Sequence, residues 1–477
     1  MGRCAALGDK IQMLELTNHV QDYLKTYVPE FGSDPVLANH LITALVRAFD
    51  EGQIISSDGS LYLFDGAVWN RIEHNTLVSM ALLFDGLWLD QDKPKRLNVG
   101  LAKAQSVAST ALLIHDVLKE KYFDKVPPGI TAADGFWTVT AEGIEMLEHS
   151  PDNLSTWSYD FEIDTETEPV KWLRFLDSLW RDDPDKESKV EALQEWVGCC
   201  LIGKSTDQAR CLLLVGRGGN GKSLLMDAVS GLWPENRVTS ASPKRWDHDY
   251  TLATLRDSSL NICAELPEYN ALESSDMFKS IIAGDRCSGR LPYQPPFSFS
   301  ARAGHIFSAN ALPSIGSGDY SDGFFRRFLI MGFNRSFTSD YALERRPQDE
   351  ILGEIKEEQS AIVYWALQGA ARLAYRGSFT LPQSHNDTVA QWHSDSDPVK
   401  DFTLACCVAG ESSLSDLFMD FKDFCSATGR RHGSAKGMAK RLRLLGYEHK
   451  RRSTGTFFGI QTKLRAEWSD CPTSDPF

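Results

Sequence analysis

Leu212-Leu213-Leu214-Val215-Gly216-Arg217-Gly218-Gly219-Asn220-Gly221-Lys222-Ser223 decides how this chain is read. An apolar run leads into a glycine loop of the pattern G-x-x-x-x-G-K-S, and Leu224-Leu225-Met226 begin a helical pattern behind it. Strand, glycine loop and helix in that order make a cradle for phosphates. Successive loop N–H groups can turn inward, and Gly218, Gly219 and Gly221 let the backbone approach an anion without Cβ clashes. Lys222 is spaced to reach β- and γ-phosphates, and the Ser223 hydroxyl to ligate Mg²⁺. The helix start adds its positive dipole end. The pattern implies ATP or GTP, bound by Gly216, Gly218, Gly219, Asn220, Gly221, Lys222, Ser223 and Leu224.

The rest of the composition is that of an ordinary globular protein. In 477 residues, 42% are hydrophobic and 24% charged, which is room for several domains. A net charge of −15 excludes a protein that coats nucleic acid over its whole surface. It leaves open a channel lined by local cations. The ten cysteines include no C-x-x-C pair, which removes the usual zinc and thioredoxin patterns. Apolar runs are too short for a membrane span, and the first residues lack a signal-peptide core. The expected setting is a soluble, reducing cytoplasm, bacterial or host.

Along the chain, residues 11–27 and 36–49 have helical spacing, and Ser60–Phe64, Asp65-Gly66 and Ala67–Trp69 read as a hairpin with a D-G turn. Asp90 and Asp92 have D-x-D spacing but sit in a lysine-bearing loop pattern and are read as solvated. Trp172–Trp180 and Glu191–Leu201 read as helices, Leu352–Tyr375 as another, and the polar stretch Pro382–Pro398 as a linker.

Further stations follow the glycine loop. Leu260–Cys263 reads as a strand with Glu265 at its tip, spaced for the parallel strand next to the loop strand. Glu265 is the candidate Mg²⁺ holder or water-activating base, with Glu268 in reserve. His305–Ala309 is an apolar strand ending at Asn310, whose amide could orient an attacking water. Arg326 and Arg327 sit in an apolar run, where cations are costly unless paired. They read either as arginines reaching a neighbouring subunit's nucleotide or as an internal ion pair. Lys279, Arg286, Arg290 and Tyr293 surround a proline-rich hairpin, with cations suited to phosphates and a ring suited to bases.

This ordered set resembles superfamily 3 helicases of the phage/plasmid and poxvirus primase–helicase kind. The motifs are the loop, Glu265, Lys279 to Gly284-Asp285, Asn310-x-x-Pro313 and Arg326-Arg327. Leu61–Trp69 and Leu193–Gly198 are similar to that family's pre-helicase region. The resemblance implies an AAA+-type α/β P-loop core acting in a ring, usually a hexamer, that translocates on single-stranded DNA, typically 3′→5′. It further implies that Lys222, Ser223 and Glu265 serve ATP and Mg²⁺, Asn310 is the sensor, and Arg326 or Arg327 is the trans arginine. Two departures stand out: the acidic strand carries one carboxylate, and no primase motif is visible, so a separate primase or polymerase is an expected partner.

Residues 430–465 carry eleven Lys and Arg against the single acid Glu448. Two helical patterns followed by a wing-like hairpin make this the sequence image of a winged helix on DNA, with Lys440, Arg441, Arg443, Arg451 and Arg452 as contacts. A solvated face or an intersubunit patch is the competing reading. The expected organisation is an α/β region over 1–150, a helical collar over 151–206, the ATPase core over 207–340, a helical extension and linker over 341–395, and the basic domain over 396–477. The function expected is an ATP-dependent DNA helicase acting on single-stranded and forked DNA for replication of a phage, prophage or plasmid, with no membrane. The alternatives are an AAA+ remodeller of protein partners and an origin-binding initiator or DNA-sensing protein that uses ATP only to assemble.

Overall fold

The computed structural model describes residues 16–48, 54–57, 59–89, 95–114, 122–266, 275–290, 296–313, 322–338, 346–430 and 432–463. The chain is mixed α/β. Residues 16–26 (α1) and α2 (Asp34–Ala48) pack with α3 (His74–Ala81) and α4 (Leu101–Ala111) around the antiparallel sheet β1 (Ile54–Ser57), β2 (Ser60–Phe64) and β3 (Trp69–Ile72). The β2–β3 turn is held by Asp65, whose Oδ1 accepts the N–H groups of Ala67 and Val68 at 2.9 Å each. A second antiparallel sheet, β4 (Gly129–Ala132), β5 (Gly135–Thr140) and β6 (Gly143–Leu147), leads to α5 (Val170–Trp180) and α6 (Lys186–Leu201).

The central sheet is wholly parallel, in the order β13-β7-β12-β9-β8, from β7 (Cys211–Val215), β8 (Val238–Thr239), β9 (Leu260–Cys263), β12 (Gly304–Ala309) and β13 (Phe328–Gly332). Its strands are apolar without alternation because both faces are covered. Leu212, Leu214, Ile306, Leu329 and Met331 face the core shared with α5, α6 and α12 (Gln359–Arg376). Cys211, Leu213, Phe307, Phe328 and Ile330 face the opposite core. The order corrects one sequence expectation: β9, which leads to Glu265, does not adjoin the loop strand β7. Strand β12 pairs with both and lies between them. Residue spacing fixes how far a crossover can reach, not which strand slots into the gap.

Helices α7 (Lys222–Ser230), α8 (Asp249–Ala253), α9 (Ser275–Ile282) and α10 (Asp322–Phe325) connect the sheet, along with a hairpin of β10 (Arg286–Gly289) and β11 (Phe297–Ser300). The single helix expected over 352–375 is two, α11 (Gln348–Glu357) and α12, broken at Glu358. The Glu358 carboxylate accepts the N–H groups of Lys171 and Trp172 at 2.9–3.0 Å, capping α5. Helices α6 and α12 cross so closely that a Cβ at Gly198 would lie 2.0 Å from the Ala366 carbonyl oxygen.

The linker expected at Pro382–Pro398 is instead mostly helix, α13 (Gln383–Ser396). Its polar sequence conceals two anchors. His385 Nδ1 accepts the Ile330 N–H at 3.0 Å, and buried Trp392 donates its Nε1–H to the Pro313 carbonyl at 3.0 Å. Helix α14 (Pro398–Cys406), β14 (Cys407–Ser413), α15 (Leu414–Ala427), α16 (Ala435–Leu444), β15 (His449–Arg452) and β16 (Gly455–Thr462) then build a last unit with its own core around Phe402, Phe421 and Leu442. No helix among the described residues is long and apolar enough to cross a membrane.

Candidate functional site

The C-terminal ends of β7, β9 and β12 converge on one cleft of about 380 Å³. Gly218, Gly219, Asn220, Gly221, Lys222, Ser223 and Leu224 form one wall, and Ala264, Glu265, Ser308, Ala309 and Asn310 the other. Crevices at the C-terminal ends of parallel strands are where such sheets hold ligands. The second wall is pinned by the Leu266 N–H, which donates to the Ser308 carbonyl at 2.8 Å. Glu265 and Asn310 are exposed at its rim.

The loop's shape needs its glycines. Gly219 and Gly221 have φ of +77° and +86°, where a side chain is strained. A Cβ at Gly219 would lie 2.6 Å from Thr338, one at Gly221 2.6 Å from Leu179, and one at Gly216 2.4 Å from the Phe333 carbonyl oxygen. Gly218 has open space around it, so its lack of a side chain answers to no clash in the chain itself.

Lys222 is buried, and its ammonium donates to the carbonyls of Gly216 and Arg217, the latter at 2.9 Å, and to Asn220 Oδ1 at 2.9 Å. Burial holds its pKa below the usual lysine range. Asn220 also donates from Nδ2 to the Phe333 carbonyl at 2.8 Å, tying the loop to the end of β13. Ser223 is exposed in the first turn of α7. Ser223 Oγ and the Glu265 carboxylate are hard oxygen donors, the kind Mg²⁺ takes when phosphates and water complete its shell. No group of three or more His, Cys, Asp or Glu that could hold a metal occurs among the described residues. Two oxygen donors in one cleft suit a cation that draws its other ligands from phosphate and water.

Arg326 and Arg327 are not in this cleft. They precede β13, at the N-terminal ends of the strands, and line a separate cavity of about 350 Å³ with Arg210. Arg210 was missed in the sequence reading; its signal is a cation directly before a fully apolar strand. Its Nη1 donates to the Phe328 carbonyl at 3.0 Å, and burial followed by the Arg326 charge holds its pKa down. Arg327 Nε is buried without a hydrogen-bond partner, and burial and then Arg326 lower its pKa as well. Among the described residues no carboxylate is in ion-pair contact with the three, though the charge of Asp285 acts on Arg327 and raises its pKa against the other two effects.

The expected nucleic-acid residues are scattered. Lys279 on α9 pairs with Asp276 at 2.9 Å. Arg286, exposed at the start of β10, lines a cleft of about 190 Å³ with Arg237, Arg256 and Arg302 between the N-terminal region and the central sheet. Arg290 is exposed at the end of the hairpin strand. Tyr293 lies outside the described residues, as do Asp90, Asp92, Glu268, Arg431 and Arg465. In the last unit Lys440, Arg443, Arg451 and Arg452 are exposed. Arg441 differs: it binds the buried Asp397 carboxylate at 2.5 Å and 2.9 Å. Arg430 pairs with Asp401 at 2.6 Å and Arg452 with Glu411 at 2.6 Å, so three of the cations are matched by acids upstream of the basic stretch.

A model of a family of unknown function, DUF5906, matches residues 214–327, which span the glycine loop, Glu265, Asn310 and both arginines. No curated protein matches the chain. Among solved structures, the A-form apo structure of the NrS-1 C-terminal region is similar over 90% of this chain and 100% of that one, at 12% identity and TM-score 0.44. A second A-form apo structure, of NrS-1 residues 305–718, covers 87% of this chain and 88% of its own at 12% identity and TM-score 0.42. Likenesses at this distance carry no chemistry from one chain to the other.

Proposed function

We propose that this chain is an ATPase subunit of a ring-forming DNA helicase that serves replication of a phage, prophage or plasmid. One observation supports the reading: the two ends of a single parallel sheet hold different groups that would complement each other in phosphoryl transfer. The loop, Lys222, Ser223, Glu265 and Asn310 share the cleft at one end, and three arginines line the cavity at the other. Two copies stacked head to tail bring one copy's arginines to the other's cleft, and repetition of such a contact closes a ring.

In this reading Lys222 exchanges its loop acceptors for β- and γ-phosphate oxygens, and the loop N–H groups hold the rest of the polyphosphate. Ser223 Oγ and Glu265 would hold Mg²⁺, which when bound neutralises charge on the β- and γ-oxygens. Glu265 serves in that way or, alternatively, takes the proton of the attacking water, and the Asn310 amide orients that water. Arg326 or Arg327 of the next subunit stabilises the transferring phosphoryl group, a role worth about 10³–10⁵ in rate. Exposed Lys440, Arg443, Arg451 and Arg452, on the helix and strand of a winged-helix-like unit, supply duplex contacts. Arg286 and Arg290 on the β10–β11 hairpin, with Lys279 behind it, supply single-strand contacts.

The test is unwinding of a forked duplex by wild type and by Lys222→Ala, with particle size measured with and without an ATP analogue. ATP-dependent strand separation by wild type alone is expected. Assembly without separation would remove the helicase claim in favour of an ATP-assembled initiator.

A further inference from the structure

The phosphate cleft opens into a second cavity. Gly219, Gly221, Leu224 and Gln348 line both, and the second encloses about 250 Å³. Its character is different. Phe175 and Leu179 on α5, Leu224 on α7, Ile351 on α11 and Phe337 form apolar walls, all packed within one hydrophobic cluster. Two of these helices, α5 and α11, lie outside the central sheet.

Phe337 is held firmly beside the loop. Its N–H donates to the Gly219 carbonyl at 2.8 Å. The Arg335 guanidinium lies 5.9 Å from its ring centroid and is itself bound to Asp182 at 2.6 Å. An aromatic face thus stands at a fixed offset from the phosphate cradle. Several polar groups of the wall are already engaged: Ser178 Oγ donates to the Phe175 carbonyl at 2.6 Å, Thr338 Oγ1 pairs with Ser336 Oγ at 3.2 Å and Arg181 binds Asp177 at 3.0 Å, while Arg174 and Gln348 also line the cavity. Outside the apolar wall, Lys171 binds Glu357 at 2.5 Å and Arg346 binds Glu354 at 2.8 Å. What fits is a flat ring, buried by its faces and covalently joined to a polyphosphate.

The geometry points to this slot as the nucleobase site of the loop-bound nucleotide, with Phe337 as the stacking platform and the collar helix α5 as the opposite wall. The inference rests on the nucleotide reading above and adds where the base lies and which residues hold it. Base occupancy then ties α5 and α11 to the glycine loop, so nucleotide exchange is felt by helices outside the sheet.

Two ligands separate the slot from the cradle: ADP, which has a base, and inorganic tripolyphosphate, which has none. Both are titrated calorimetrically, in magnesium buffer, against the full chain, its Phe337→Ala variant and its Ser178→Trp variant. Phe337→Ala removes the platform, and Ser178→Trp fills the slot from α5 without emptying the core. The expected result is that each variant weakens ADP about tenfold or more while tripolyphosphate affinity stays within about twofold of wild type. Retained tripolyphosphate binding also shows that the variant is folded. Wild-type ADP affinity in both variants would overturn the slot and leave the nucleotide reading standing, and so would equal loss of both ligands. Failure of wild type to bind either ligand would overturn the nucleotide reading itself.

Discussion

The two ends of the central sheet are built from opposite chemistry. At the C-terminal ends of the strands the buried cation has a local answer: Lys222 is satisfied by the Gly216 and Arg217 carbonyls and Asn220, and Asn220 by Phe333. At the N-terminal ends Arg210, Arg326 and Arg327 crowd together; burial first, and then the Arg326 charge, depress the pKa of Arg210 and Arg327, with Asp285 opposing the shift at Arg327. Clustered cations that raise one another's electrostatic cost are not explained by stability. The lesson is that one end surrounds its buried cation with hydrogen-bond acceptors while the other gathers three cations around one cavity.

The largest expected effect breaks that contrast directly. Arg326→Ala with Arg327→Ala should lower ATP hydrolysis by about 10³-fold or more while leaving ATP affinity nearly intact. Hydrolysis rate and nucleotide binding measured side by side check it, and a matching loss of affinity would place the arginines in their own subunit's site. Glu265→Gln should follow, at about 10²–10⁴ in rate, as loss of a general base. An unchanged rate would pass the role to another group.

A smaller contrast of the same kind divides the basic C-terminal unit. Arg441→Ala breaks a buried ion pair and should cost about 3 kcal/mol of stability, visible as a lowered denaturation midpoint. Replacing exposed Lys440, Arg443 and Arg451 with Ala should leave stability nearly unchanged, lower DNA affinity and flatten its salt dependence. An unaltered salt slope would move DNA contact elsewhere.

The smallest expected effect lies near the arginines. Burial, with Arg210 beside it, holds His385 down at a pKa of about 4. The unfolded chain therefore takes up a proton below about pH 6.5 that the folded chain refuses. Stability is full above that pH and falls, by up to roughly 3 kcal/mol, as pH drops towards 4. Urea midpoints from pH 7.5 to 5 check the sign; a flat profile over that range would contradict it.

Contiguous chemistry was legible in the sequence, and pairing across space was not. Lys222 and Ser223 announce themselves because loop, lysine and hydroxyl are neighbours in the chain. Glu265 and Asn310 could be proposed because each follows an apolar strand, and the structure brings both to the loop's cleft. The order of those strands was not readable, since β12 is inserted between β7 and β9 by tertiary packing. Arg441 looks like any surface cation until Asp397, 44 residues earlier, is found beneath it. Helix α13 looked like a linker because its polar face outnumbers its anchors, His385 and Trp392. Phe337 and Gln348 carry no motif and come to the loop only through the fold.

The decisive measurement mixes two inactive proteins, Lys222→Ala and the Arg326→Ala/Arg327→Ala double variant, and follows ATP hydrolysis. If each site is completed by a neighbour, random co-assembly restores about a quarter of the interfaces, each pairing an intact cradle with intact arginines, and activity rises well above either parent. If cradle and arginines serve the same subunit, the mixture shows only the sum of its parents' residual rates, and the ring with shared sites is wrong.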